Sequence, residues 1–299
     1  MTSYRPTLIG PAAGSGGATL EESAGWTEVS SDAPIAPVAF GHTHARVDAN
    51  LQVALSGAVP ALIAMWVVDR LDRKRPEPPS TRRLVAFVGM LSVIPALLVG
   101  TALTSSVGDM LDPQFTYQGA TWTSFVIAAG VEEACKISAV YWIVWRRPDF
   151  DERMDGIVYA SRAGLGFALV ENMLYLLGQT TLEGALFVWI ARALLAVPGH
   201  AMWTGMIGAL AARRRFDGRG LGLLGGYLLA VAFHGAYDLT VFLQQPLRFE
   251  GHDVLATFLL TGPVVLTVAA FFVLRSMART ALKLDDADAA RAALLAARG

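Results

Sequence analysis

The sequence predicts an all-α fold: a polytopic transmembrane helix bundle of about seven spans, with the N-terminus outside and the C-terminus inside. Three observations predict it. Of 299 residues, 54% are hydrophobic and only 16% charged, and 29 glycines add to the apolar share; soluble domains are about 25% charged. Seven stretches are long enough to span a bilayer, each needing about 20 apolar residues. The basic residues of the short connecting loops fall almost entirely on one side.

Residues 1–48 come first and differ from the rest. They are rich in Gly, Ala, Ser, Thr and Pro, have no apolar period, and predict a disordered extracytoplasmic tail. No basic stretch followed by an apolar run is present there, so the segment is not a cleaved signal peptide. His42 and His44 in this tail read as solvated side chains. The spans follow at roughly 51–68, 84–104, 120–145, 156–178, 184–211, 220–243 and 254–274, within a transmembrane domain of residues 49–275. Loops after the first, third and fifth spans hold 13 basic residues, whereas the opposite loops hold Arg248 alone. Residues 276–299 form a cytoplasmic tail, of which 285–299 read as a short Ala-rich amphipathic helix or a frayed end.

Composition also excludes. A formal net charge of −1 leaves no basic field for nucleic acid. The single cysteine, Cys135, excludes a disulfide framework and a multi-cysteine zinc site, and beside Glu133 it reads as a packing residue. Gly220-Leu221-Gly222-Leu223-Leu224-Gly225 matches a dinucleotide fingerprint, but it opens a span and reads as close helix packing.

The informative residues are the charges inside the spans. The third span holds Glu132, Glu133 and Lys136; the fourth Arg162, Glu171 and Asn172; the fifth Arg192 and His200; the sixth His234 and Asp238. Unpaired, each central charge would cost roughly 2.5–3.5 kcal/mol. They must face one another or a wet cavity. At 1.5 Å rise per residue from the cytoplasmic ends, Glu133 lies about 18 Å deep, Glu171 about 22 Å, His200 about 17 Å and His234 about 21 Å. Four helices thus bring a carboxylate or imidazole to one level near the midplane. Arg162, only about 9 Å in, can snorkel.

Local spacing adds detail. Lys136 is i,i+4 from Glu132 and i,i+3 from Glu133, so it can neutralise either, leaving two carboxylates with unequal roles and one as a general base. His234 and Asp238 are i,i+4, an arrangement in which the carboxylate orients the imidazole. Pro198-Gly199 should break the helical ladder before His200. Arg192 reads either as a ligand for a substrate carbonyl or as a partner for a carboxylate. The chemistry is hydrolysis by two routes that the sequence leaves open. In one, Glu171, His200 and His234 hold a zinc ion, with Glu132 or Glu133 as base. In the other, a glutamate activates water without metal and the histidines stabilise the tetrahedral intermediate.

Four ordered motifs resemble the PrsW-type intramembrane protease family. Gly130-Val131-Glu132-Glu133-Ala134-Cys135-Lys136 looks like its Glu-Glu-x-x-Lys signature. Asp155–Tyr159 continuing through Gly164–Tyr175, then Pro198–Gly205, then Phe233–Asp238 are similar to its later motifs. The distantly related CAAX prenyl endopeptidases carry Glu-Glu-x-x-x-Arg; this chain instead keeps Phe167-x-x-x-Glu171 and His234-x-x-x-Asp238, toward the PrsW pattern. The resemblance implies cleavage of a single-pass membrane protein, of the anti-sigma-factor type, by a multi-pass protein of a bacterial plasma membrane. It implies that Glu132, Glu133, His200 and His234 are catalytic and Glu171 takes part. Lys136, Arg192, Asn172 and Asp238 would support them.

Other hydrolase signatures are missing: there is no His-Glu-x-x-His, no Gly-x-Ser-x-Gly, and no Gly-x-Gly-Asp to partner Tyr237-Asp238. The rival from another class is a proton- or ion-coupled transporter using the same buried Glu/His relay; the lack of an internal repeat and the four motifs stand against it.

Overall fold

The structure is a computed structural model that describes residues 51–71, 74–107, 111–113 and 115–298. The predicted tail 1–48, with His42 and His44, lies outside the described residues. Among those described, the chain is helical with no strand. The long helical stretches are α1 (Leu51–Val68), α2 (Pro79–Val107), α3 (residues 117–143), α4 (Arg153–Leu177), α5 (Leu182–Asp217), α6 (Gly222–Phe249) and α7 (Asp253–Ala296). Five of them, α1, α2, α5, α6 and α7, are long and apolar enough to cross a membrane. The other two, α3 and α4, carry Glu132, Glu133, Lys136, Arg162 and Glu171, which makes them less apolar.

The centre is α4, buried continuously from Arg153 to Leu169. It packs against α5, α2 and α1, and more lightly against α3 and α7. A capping box starts it: the Asp155 carboxylate accepts the Glu152 N–H at 2.8 Å, and the Glu152 side chain returns a bond to the first turn. Glycines let the neighbours approach. A Cβ at Gly164 would lie 2.4 Å from the His200 carbonyl oxygen of α5, and one at Gly166 2.0 Å from the Ala86 carbonyl oxygen of α2. Between α4 and α5, Gly156 and Gly208 meet backbone to backbone. Outside this core the surface is apolar: Leu98, Phe187, Leu194 and Phe272 are all more than half exposed, the kind of surface that belongs in lipid.

Several helices outrun their apolar stretches. α2 begins at Pro79, and α6 continues through Gln244–Phe249. α7 runs unbroken from Gly262 to Ala296 through the predicted tail. For α7 the cause is polar docking that an apolar period does not register. Asp285 accepts the backbone N–H groups of Arg153 and Met154 at 3.1 Å each, and the Arg153 guanidinium at 2.7 Å. Arg153 also binds Asp217 of α5 and Asp288. The far end of α7 thus caps the start of α4. Arg162 does not snorkel; it is buried and ion-paired with Asp69 at 3.3 Å.

Two consequences are testable by thermal unfolding in detergent. Gly166→Ala and Gly208→Ala should each destabilise by about 1–3 kcal/mol, because backbone rather than a flexible side chain blocks the added carbon. Asp285→Ala should cost about 1–3 kcal/mol, since it leaves the Arg153 and Met154 N–H groups without their acceptor, while Arg153 keeps Asp217 and Asp288.

Candidate active site

Two departures from α-helical winding shape the site. In α3 a π-helical run, Thr123–Val131, ends directly before Glu132. In α5 another, Arg192–Ala196, ends directly before Val197-Pro198. Pro198 has no N–H to offer the carbonyl four residues earlier, so the break expected at Pro198-Gly199 is taken up one turn earlier as a wider turn. Such π segments are frequent at functional sites.

Lys136 stands at the centre with its side chain fully buried. Its Nζ lies 3.0 Å from Glu132 Oε2, 2.9 Å from Glu133 Oε1 and 2.8 Å from His200 Nδ1. An ammonium has three N–H bonds, and each has an acceptor here. The Phe167 ring lies under it, 4.1 Å from centroid to Nζ. Because Lys136 donates to Nδ1 of His200, the network assigns the ring hydrogen to Nε2, which donates to Glu171 Oε2 at 2.8 Å.

The two adjacent glutamates have different surroundings. Glu133 is fully buried with both oxygens engaged: Oε1 meets Lys136 and His234 Nδ1, at 3.0 Å for the latter, and Oε2 accepts the Thr204 hydroxyl at 2.7 Å. Glu132 is held at Oε2 alone, and its side chain is 16% exposed toward a cleft. Nε2 of His234 lies 3.3 Å from Asp238 and 3.9 Å from Glu132. Its ring stacks on Trp203, with centroids 4.2 Å apart and planes 14° apart. The His200 and His234 rings are 5.2 Å apart. Glu171 accepts from Arg192 at 2.5 Å, Arg192 Nε donates to Asn172 Oδ1 at 2.6 Å, and Asn172 donates to the Gly57 carbonyl of α1. Arg192 is therefore a partner for a carboxylate.

Glu132, Glu133, Lys136, Glu171, Asn172, Arg192, His200, His234 and Asp238 are thus drawn into one polar network, and Arg162 stands apart from it on Asp69. One grouping differs. The donors whose ligand atoms all lie within 4.8 Å of one another are Glu132, His200 and His234, not Glu171, His200 and His234. Glu171 is turned to Arg192 and to His200 Nε2. Axial depth put both glutamates at the right height but carried no information on rotation about the helix. Thr204, Trp203 and Phe167 were missed as members of the site. Their spacing could have found them: Trp203 and Thr204 are i+3 and i+4 from His200, and Phe167 is i−4 from Glu171.

Comparison with known proteins gives the family. The sequence model of a family described as PrsW family intramembrane metalloprotease matches residues 77–274. That range contains Glu132, Glu133, Lys136, Glu171, Arg192, His200, His234 and Asp238. Protease PrsW of Clostridioides difficile is 30% identical over 200 residues, covering 65% of this chain and 81% of the relative. Protease PrsW of Geobacillus kaustophilus is 33% identical over 192 residues, 64% of this chain and 80% of the relative. That of Bacillus subtilis is 29% identical over 194 residues, 64% and 81%. No solved structure matches the chain. The relatives are proteases, and the transporter reading is not favoured. With its buried glutamate and histidine network inside an apolar helical bundle, the chain belongs to the PrsW family of intramembrane metalloproteases.

Proposed function

We propose that this protease cuts a single-pass membrane protein of the anti-sigma-factor type, with Glu132 as the general base. One observation carries the assignment. Of the adjacent glutamates, Glu132 alone reaches the cleft, with both imidazoles close by, whereas Glu133 has both oxygens engaged. Glu132 Oε1 has no hydrogen-bond partner among the described residues, which leaves it free to take a proton from water.

As water bonds to the peptide carbonyl carbon, its proton passes to Glu132. With no metal bound, His234 Nε2 turns from Asp238 to donate its N–H to the oxyanion that forms. When the C–N bond breaks, Glu132 returns the proton to the departing amine, and the water oxygen stays on the new carboxylate. Glu133, Asp238 and Thr204 position His234 and Lys136. Glu171, braced by Arg192 and Asn172, fixes the His200 tautomer.

The donor set fits a divalent cation: one carboxylate and two imidazoles, a usual zinc set that leaves a fourth position open. Glu132, His200 and His234 would hold it as ligands, in place of the metal-free roles of Glu132 and His234, and bound there it would supply Lewis-acid polarisation of the carbonyl and water. Lys136 and Glu171 already engage both nitrogens of His200, so that ring exchanges one of these contacts in binding a metal.

In the same reading the chain crosses the membrane seven times, α3 and α4 included, with its N-terminus outside and its C-terminus inside a bacterial plasma membrane. Supporting this, the basic loops, 13 residues against one, lie on one side. Asp286 of α7 pairs with Lys74 of such a loop at 2.6 Å.

Glu132→Gln should reduce cleavage of a co-expressed single-pass substrate by at least about 1,000-fold, with an unchanged unfolding temperature; near-normal cleavage removes Glu132 as base. Thr204→Val, which frees Glu133 Oε2, should cost about 10- to 100-fold in kcat with little change in KM. Elemental analysis of the active protein decides between the two routes: one zinc per chain, lost in His234→Ala and on chelation, makes Glu132 a ligand, whereas full activity in a metal-free preparation makes it the base.

A further inference from the structure

A peptide bond cannot be hydrolysed at Glu132 unless an unwound stretch of polypeptide reaches it. A cleft of about 640 Å³ runs between α2 and the C-terminal half of α4, and both Glu132 and Glu171 line it. Towards one end its wall is polar, with Thr104, Ser105 and Gln179; deeper in, Leu97, Ile127 and Leu174 make it apolar. The polar end is the end of α2 and α4 away from the arginine-rich loops. On the α2 side the wall includes Ala96 and Gly100, one turn apart on one face, and a Cβ at Gly100 would already lie 3.1 Å from Ile127.

These features describe a seat for an extended chain. Inside a bilayer, an unwound segment needs hydrogen-bond partners for its backbone, and hydroxyl and amide groups at the mouth supply them. Beyond the mouth the wall accepts apolar side chains. A second cleft, about 730 Å³ between α1, α5 and α7, is larger and more apolar but contains none of the glutamates or histidines. Resting on the assignment of Glu132 to the chemistry, we infer that the α2–α4 cleft is the substrate site: the substrate's membrane segment enters it unwound from the mouth at Ser105 and Gln179.

The test uses the full chain in liposomes and a single-pass peptide whose outer half is built of Ala, Gly and Ser between a fluorophore and a quencher. Photoreactive benzoylphenylalanine is placed in separate proteins as Thr101→benzoylphenylalanine, on the α2–α4 cleft, and Ile63→benzoylphenylalanine, on the α1–α5–α7 cleft. Both positions are exposed. Cross-linking should occur from Thr101 and be competed by unlabelled peptide, with little from Ile63. Thr101→Trp should lower kcat/KM at least tenfold without changing the unfolding temperature. Absence of a cross-link from Thr101, equal cross-linking from both positions, or wild-type cleavage by Thr101→Trp overturns the site. The chemistry is read separately: a cross-link from Thr101 without hydrolysis sustains the cleft and counts against the catalytic assignment, while hydrolysis lost in Glu132→Gln but with no such cross-link does the reverse.

Discussion

A fully buried ammonium group must find an acceptor for each of its three N–H bonds or leave the membrane interior. Lys136 finds them on Glu132, Glu133 and His200, and that constraint organises the site. Two of the acceptors come from its own helix and the third from α5, so the ion fixes α3 against α5 as well as neutralising α3. Breaking such a cluster on one side costs about 3–5 kcal/mol, because a charge is left without a partner in a low-dielectric interior. Charge balance here is therefore also geometry. The second cluster, Glu171 with Arg192, Asn172 and His200, ties α4 to both halves of α5 and, through the Gly57 carbonyl, to α1.

Within the first cluster the two carboxylates share a cation but not an environment. Glu133 is surrounded by donors from three helices, α3, α5 and α6. Its hydrogen-bonding capacity is committed to holding its neighbours in place. Glu132 keeps one oxygen free and one face on the cleft. Adjacent residues on a helix point about 100° apart, and this is enough to put one in the packed interior and the other on the edge of open space. Adjacency of like charges, costly in lipid, thereby yields one carboxylate locked into the packing and one with an oxygen open to the cleft.

Much of this was legible in the sequence, because a charge within an apolar span has few explanations. Glu132, Glu133, Lys136, Glu171, Arg192, His200, His234 and Asp238 were each identifiable that way, and axial rise placed four of them at one depth. Rotation was not legible. It depends on two π-helical segments, Thr123–Val131 and Arg192–Ala196, which change the facing of everything after them and have no composition signature beyond Pro198. Hence Glu171 was grouped with the histidines where Glu132 stands. The docking of Asp285 on Arg153 was equally hidden: an acidic residue in an Ala-rich helix looks like a solvated face until its partner, 132 residues away, is in place.

The glycines of α4 belong to the chemistry as much as to the packing. Gly164 abuts both the His200 carbonyl, at 2.4 Å from where its Cβ would be, and the Thr204 hydroxyl, at 2.8 Å. Glu171 follows it by seven residues, two turns along nearly the same face, and grips His200 Nε2. The separation of α4 and α5 at Gly164 therefore decides whether Glu171 reaches His200, while the same contact sets the height of Thr204, which holds Glu133. A hydrogen bond of 2.7–2.8 Å tolerates only a few tenths of an ångström before it weakens, and a methyl group at Gly164 would demand more than that from the backbone of α5. The tight Gly-Leu-Gly step of α4 is in this way a spacer for the catalytic network: Gly164 sets the reach across α5, Gly166 sets α4 against α2, and the cleft between α2 and α4 opens above both.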